Sequence, residues 1–225
     1  MNKFPRSAYV HIPFCHRRCF YCDFAVIPLG NKVETLQGYG SKTVKEYLHF
    51  LYKEILSIKH KSSLSTIYVG GGTPSILDPQ QIKELIDLFK ENYGVDYGAE
   101  ITMEVDPASF NLDDLHGFIN AGINRFSLGV QSFNNQILQK SGRRHLREDA
   151  EKSCLWLKKV YSAGLIKSWS LDLIQNLPLS GLREWKEDLK KAITFSPPHI
   201  SIYDLNIENG TVFKKLVNLG KLQLP

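Results

Sequence analysis

Only four of the 225 residues are cysteine, and no stretch approaches the roughly 20 apolar residues that a membrane helix needs. Residues 1–6 carry no apolar h-region of a secretory signal, so a cytoplasmic, reducing location is the expectation. Thiols in such a compartment stay reduced, which argues against disulfides and for metal or redox chemistry. There is no internal repeat and no low-complexity segment. Neither sign of charge dominates: 28 Lys and Arg face 23 Asp and Glu, a net charge of +5. That balance tolerates an anionic ligand but lacks the concentrated basic face of a nucleic-acid binder, so no nucleic acid is expected as partner. The basic runs His16-Arg17-Arg18 and Arg143-Arg144-His145-Leu146-Arg147 read first as solvated surface. What is present is ordinary globular material, 43% hydrophobic and 23% charged, sufficient for one large domain or a domain with a fragment of another.

Strand-like and helix-like segments alternate with little left over. Runs rich in β-branched and aromatic residues occur at 8–12, 66–70, 100–105, 125–130, 168–174 and 199–203. Helical patterns lie between them, near 43–60, 79–93, 112–121, 148–163 and 182–194. Thr43 with Glu46 and Asp78 with Gln81 fit capping boxes, Pro79 suits a first helical turn, and Asn111 suits an N-cap. Six strands alternating with five helices predict parallel strands joined by right-handed crossovers, in a doubly wound sheet or a barrel.

Side-chain parity separates these two. Neighbours in a strand point to opposite faces. One face then collects Val10 and Ile12; Ile67 and Val69; Ile101, Met103 and Val105; Phe126, Leu128 and Val130; Trp169, Leu171 and Leu173; Ile200 and Ile202. These are expected to pack against the helices. The other face carries Tyr9, His11, Tyr68, Gly70, Thr102, Glu104, Ser127, Gln131, Ser170, Asp172, Ser201 and Tyr203. A doubly wound sheet is apolar on both faces, and a closed eightfold barrel fills its interior with branched apolar residues. Burying Glu104 and Asp172 without partners would cost several kcal/mol each. The pattern predicts a partial, open (β/α)6 TIM-like barrel whose lumen holds a polar ligand and water.

The cysteines are unevenly placed. Cys154 sits alone in a helical stretch and reads as a small buried hydrophobe. Cys15, Cys19 and Cys22 fall within eight residues, directly after the first strand, at the end of the strands where parallel barrels bind ligands. Spacings of three and two intervening residues bring three thiolates together, and thiolates suit zinc or iron–sulfur clusters. Phe14, Phe20, Tyr21 and Phe24 surround them with apolar cover. A zinc site would recruit His16 or Cys154 as fourth ligand, yet structural zinc usually takes two closely spaced pairs and no second pair follows. A cubane held by three cysteines leaves one iron open to an outside ligand.

At this point the chain resembles the radical SAM superfamily, whose loop has this Cys-x3-Cys-x2-Cys spacing. The further segments Tyr9-Val-His-Ile-Pro-Phe-Cys15, Gly70-Gly-Gly-Thr-Pro-Ser75, Met103-Glu-Val-Asp-Pro107, Asn124-Arg-Phe-Ser-Leu-Gly-Val-Gln-Ser-Phe133, Asp172-Leu-Ile-Gln-Asn-Leu-Pro178 and Ser201-Ile-Tyr-Asp-Leu-Asn-Ile-Glu208 follow in order. Together they resemble the oxygen-independent coproporphyrinogen III oxidase-like family with its haem-chaperone branch. The resemblance implies that Cys15, Cys19 and Cys22 ligate a [4Fe-4S] cluster whose fourth iron chelates S-adenosylmethionine (SAM). It implies that Gly71, Gly72 and Thr73 hold the methionine end of SAM, and that Tyr9, Tyr21, Glu104, Gln131, Arg143, Asp172 and the backbone of Asn206 contact it. Four of these, Tyr9, Glu104, Gln131 and Asp172, stand on the polar strand face read independently from parity. No catalytic side chain is assigned. In the oxidase, an electron from the cluster cleaves SAM, and the resulting radical abstracts hydrogen from porphyrinogen propionates, which then lose carbon dioxide.

Two departures bear on function. The oxidase continues its loop Cys-x2-Cys-x-Cys, whereas this chain has Phe24 at the last position. A Cys-Asp-Phe ending resembles the haem-chaperone branch, which binds haem and passes it to acceptor proteins. The sequence also stops at Pro225, before the helical region that family members append and the haem-associated motif within it. The expected organisation is a core barrel over 1–213 and the start of a truncated carboxyl-terminal region over 214–225. Haem or a porphyrinogen is the expected partner, with an electron donor such as a flavodoxin or ferredoxin, and haem is a further candidate cofactor. Three functions stay open: haem chaperone, porphyrinogen decarboxylase, and a radical SAM enzyme with another substrate such as tRNA.

Overall fold

The computed structural model describes residues 5–30, 39–58 and 62–225. In chain order the elements are β1 (Ser7–Ile12), β2 (Phe14–Cys15), β3 (Ile27–Pro28), α1 (Tyr39–Ser57), β4 (Leu64–Gly71), a 3-10 turn (Pro74–Ile76), α2 (Pro79–Tyr93), β5 (Val95–Val105), α3 (Leu112–Ala121), β6 (Arg125–Gln131), α4 (Asn135–Lys140), α5 (Arg147–Ser162), β7 (Ser168–Gln175), α6 (Leu182–Thr194), β8 (His199–Asp204) and α7 (Val212–Asn218). Six strands form one parallel sheet in the order β1-β4-β5-β6-β7-β8, and β2 pairs separately with β3. The order never reverses. Right-handed crossovers that always step the same way put the crossover helices on one face, so the sheet is singly wound and curls around its other face. β1 and β8 remain edges, which makes the architecture an open partial barrel.

The predicted apolar face is the core. Val10, Ile12, Ile67, Val69, Ile101, Met103, Val105, Phe126, Leu128, Val130, Trp169, Leu171 and Leu173 are all buried, joined by Leu85, Ile86, Leu115, Phe118 and Leu157 from the helices. On the lumen face, pairing aligns the polar residues in rows, with Tyr9 beside Tyr68, Tyr68 beside Thr102, Glu104 beside Ser127 and Asp172 beside Ser201. Helix ends follow the sequence signals where those are strong. Asp78 accepts from the Gln81 N–H at 2.8 Å while Gln81 reaches back to the Asp78 N–H, and Asn111 forms the same reciprocal pair with Asp114.

Several expectations are corrected. Thr43 is not a cap, because α1 starts at Tyr39 and runs past it; the predicted end of that helix at His60 lies outside the described residues. β5 begins at Val95, five residues earlier than its alternation suggests, and reaches its full length through a register irregularity between Leu64 and Thr66 of β4. α4 has no sequence counterpart among the predicted helices; it is one short turn sequence capped by Asn134, whose side chain accepts from the Gln136 and Ile137 N–H groups. Ile200 packs on the core as expected, but Ile202 is 52% exposed. The helix that follows β8 does not cover its outer face: α7 turns to the carboxyl ends of the strands, where Phe213 is buried with Ile137, Leu177 and Leu222.

These contrasts give a stability test. Leu171→Ala should cost about 2–5 kcal/mol by urea unfolding at unchanged slope, because it opens a cavity in the closed core. Ile202→Ala, identical in strand parity, should cost only about 0.5 kcal/mol. Equal costs would contradict an uncovered outer face on β8.

Candidate functional site

The chain leaving β1 doubles back on itself. Cys15 lies in β2, and the returning segment is pinned by Ile27 N–H to the Pro13 carbonyl (2.6 Å), Leu29 N–H to the Cys15 carbonyl (2.8 Å) and Gly30 N–H to the His16 carbonyl (2.9 Å). Cys22 N–H closes a tight turn on the Cys19 carbonyl at 3.2 Å. Arg18 braces that turn by donating to the carbonyls of Cys22 and Phe24 at 3.1 and 3.0 Å. The far side of the loop is tied down by Phe20 N–H to the Ser141 carbonyl (3.0 Å) and Phe213 N–H to the Phe20 carbonyl (2.9 Å). α4 and α7 thus serve as abutments for the cysteine loop.

The glycine turn after β4 comes up against this loop from below. Gly72 N–H donates to the Ile12 carbonyl at 2.8 Å. A methyl group on Gly72 would stand 2.6 Å from the Phe14 carbonyl oxygen and 2.9 Å from the Cys15 sulfur; one on Gly71, whose φ is +120°, would stand 2.8 Å from the Ile12 carbonyl oxygen. The close approach that the sequence assigns to a ligand is therefore already made to the chain itself. Thr73 Oγ1 donates to Cys15 Sγ at 3.5 Å.

Beneath lies a cavity of about 450 Å³, ordinary for a small-molecule site. It is lined by Cys15, Cys19, Cys22, Tyr21, Gly71, Gly72, Thr73, Glu104, Gln131, Arg143, Asp172 and Asn206, every predicted site residue except Tyr9. Tyr9 is 61% exposed; its ring stacks on Tyr68 and its hydroxyl lies 3.2 Å from His11 Nδ1.

The lumen carboxylates have found neutral donors. Glu104 accepts from the Tyr68 hydroxyl at 2.9 Å and the Gly71 N–H at 3.1 Å, yet burial outweighs these bonds and raises its pKa. The Asp172 Oδ2 accepts from Ser127 at 2.6 Å. Other atoms are left without a partner: Asp172 Oδ1, Gln131 Oε1 and Arg143 Nε are buried and unbonded. Gln131 also has φ +67°, at a register shift where β6 bulges against β7. Backbone strain and orphaned polar atoms in one cavity mark a place built for a polar ligand.

Two functional candidates escaped the sequence reading. Asp106 pairs with Arg143, and His145 supports both. Burial alone would raise the Asp106 pKa, but the Arg143 guanidinium, with the His145 ring 3.9 Å away, holds it well below the usual carboxylate range. Asp106 was visible as the next lumen-parity position after Glu104, just past the end of β5. Burial raises the Cys15 thiol to about 11 despite the Thr73 bond, and raises the Tyr21 hydroxyl strongly.

The alternatives for the fourth metal ligand can be located. Cys154 is fully buried in the helix–sheet core and does not line the cavity. His16 does line it, with Nδ1 3.3 Å from the Gly30 carbonyl oxygen. Among the described residues, no three His, Cys, Asp or Glu side chains converge as ligands of a single ion must. A cubane distributes its thiolates over separate irons, so it does not require such convergence.

The sequence pattern of the Radical SAM superfamily matches residues 9–174. The chain is 41% identical to the heme chaperone HemW of Synechocystis sp. over 222 residues, covering 98% of this chain and 52% of that protein. It is 36% identical to the heme chaperone HemW of Lactococcus lactis over 222 residues, again 98% of this chain and 54% of the relative. Among solved structures it resembles coproporphyrinogen III oxidase (HemN) from Escherichia coli, described as a radical SAM enzyme, with TM-score 0.81 and 31% identity over 99% of this chain and 49% of that one. The chain spans about half the length of these relatives.

The glycine seat makes a separate prediction. Gly72→Ala should destabilise the chain by about 1–3 kcal/mol, because the contact it forces is with backbone, which has no rotamer to yield. A urea midpoint equal to that of the parent chain would refute the seat.

Proposed function

The chain belongs to the radical SAM superfamily, and from that premise we propose that it is the barrel of a haem-handling [4Fe-4S] protein of the haem-chaperone kind. The observation that carries the cofactor reading is the single cavity in which the cysteine loop, the glycine turn and the unpartnered atoms of Gln131, Asp172 and Arg143 meet. The donor set fits: three soft thiolates for three irons, and orphaned polar groups for the amino acid and nucleoside parts of SAM. Cys15, Cys19 and Cys22 would hold the cluster, with Gly71, Gly72, Thr73, Tyr21, Glu104, Gln131, Arg143, Asp172 and Asn206 around SAM, and Tyr9 at the rim. When bound and reduced, the cluster supplies the electron that cleaves SAM. The chain's own part is to bind, orient and exclude water: the aromatic rings of Phe20 and Tyr21 pack with Phe213 behind the loop, and the buried Arg143 presents a fixed positive charge.

Haem handling rather than decarboxylation is supported by Phe24. It stands where the oxidase pattern has its fourth cysteine, and it lines the cavity mouth with 59% of its surface exposed. The relatives named heme chaperone agree with that choice. The partners proposed are haem or a porphyrinogen and a one-electron donor such as a flavodoxin or ferredoxin. No helix among the described residues is long and apolar enough to cross a membrane, and a cytoplasmic place of action is part of the proposal.

Anaerobic reconstitution with iron and sulfide decides the matter. The chain should take up about four irons with the visible thiolate-to-iron absorption, and Cys19→Ala should abolish it. Stoichiometric zinc, or a full four-iron signal in Cys19→Ala, would refute the ligand assignment. Haem titration should then saturate, while coproporphyrinogen III with SAM should give no protoporphyrinogen IX; its formation would establish the decarboxylase instead.

A further inference from the structure

Two of the three cysteine sulfurs are met by a donor from outside the cysteine loop. Thr73 Oγ1 lies 3.5 Å from Cys15 Sγ. Arg143 Nη1 donates to Cys19 Sγ at 3.6 Å. Such bonds are not needed to satisfy thiols, which are weak acceptors whose burial costs little. They matter for a sulfur that carries charge.

Arg143 is the unusual member of this set, because a buried guanidinium is costly unless it is held. Its Nη2 is fully committed on the side away from the sulfur, to Asp106 in an ion pair and to the Gly129 carbonyl at 2.8 Å. His145 Nδ1 lies 3.2 Å from the same nitrogen, and that ring is itself fully buried and anchored through Nε2 to the Val130 carbonyl at 3.0 Å. With both Nη2 hydrogens taken by Asp106 and the Gly129 carbonyl and the His145 ring beside them, the planar fork leaves Nη1 for Cys19. The clamp draws on the end of β5, the bulge in β6 and the loop after α4, so the guanidinium cannot retreat without disturbing all three.

We propose that Arg143 and Thr73 raise the reduction potential of the cluster by donating to Cys19 and Cys15, and that Asp106 and His145 are positioning residues that hold Arg143 to this task. The inference rests on the reading that the three cysteines carry a [4Fe-4S] cluster. Its physics is direct: reduction adds one negative charge to the cluster and its thiolates, and a fixed cation with N–H and O–H donors on the sulfurs stabilises that charge. A charge-assisted donor contributes more than a neutral hydroxyl, so Arg143 should outweigh Thr73.

The test is an anaerobic redox titration of the reconstituted full chain followed by electron paramagnetic resonance, after iron and sulfide have been counted. Arg143→Gln should lower the reduced-to-oxidised ratio at a fixed potential about tenfold, which is about 59 mV for one electron. Thr73→Val should lower it by about threefold, as expected for one neutral hydrogen bond, and Thr73→Ser should restore it. In an Asp106→Asn background the effect of Arg143→Gln should shrink to less than half on the logarithmic scale, since a released guanidinium has less to lose. Full cluster content with a ratio unmoved in Arg143→Gln overturns the inference while leaving the cluster reading intact. Additive effects of the Arg143 and Asp106 substitutions overturn the positioning role. If Arg143→Gln takes up no iron, the Thr73→Val and Thr73→Ser pair decides, an unchanged ratio in both counting against the inference. Failure of the parent chain to assemble a cluster would instead sink the reading beneath it.

Discussion

The seat of the Gly71-Gly72 turn against residues 12–15 governs the rest of the site. Its nearest contacts are with backbone oxygens, which cannot give way, so the carboxyl ends of β1 and β4 and the cysteine loop move as one piece. Once that piece is fixed, Thr73 falls beside Cys15 and Gly71 N–H falls on Glu104, which sets the floor of the cavity in β5. The two other abutments, at Ser141 and Phe213, fix the loop from the opposite side. A short irregular segment with three cysteines would have little structure alone; here it is fastened to four separate parts of the barrel.

Much of the fold was legible because it depends on a binary pattern. The alternation in residues 125–131 and 168–174 separates core from lumen residue by residue, and every lumen assignment there agrees with the observed faces. Polar residues on one whole face also excluded the doubly wound alternative before any strand order was known. The failures have a common physical source. α4, α7 and the start of β5 are set by what lies next to them in space: α4 by its Asn134 cap and the loop it supports, α7 by burial of Phe213 against Phe20 and Tyr21. β8 misled for the same reason, since Ile202 obeys parity but nothing among the described helices lies over it.

The site was legible to a similar depth. Residues fixed by spacing or by strand parity, namely the cysteines, Glu104, Gln131 and Asp172, converge on one cavity. Tyr9 obeys the same parity yet stands at the rim, because β1 is an edge strand and its side chain leans on Tyr68 instead of inward. Asp106 and His145 were invisible as a pair, being 39 positions apart and brought together around Arg143 by the fold.

That network explains how a charged group can be kept under the cysteine loop at all. Asp106 and Arg143 neutralise one another, and the Gly129 carbonyl of β6 takes a further Nη2 hydrogen, while Nε is left without a partner. The lumen opposite is treated differently: Asp172 Oδ1 and Gln131 Oε1 are left bare, and Gln131 is held in a strained backbone conformation. A chain that satisfies its buried charges on one wall and leaves acceptors unsatisfied on the other has set aside stability at the second wall, where a bound ligand would restore it. The cavity therefore has two chemically distinct sides, one presenting donors from Arg143 and Thr73 toward the sulfurs and one presenting the bare acceptors of Asp172 and Gln131. A ligand that spans them must present negative or electron-accepting character to the first and donors to the second.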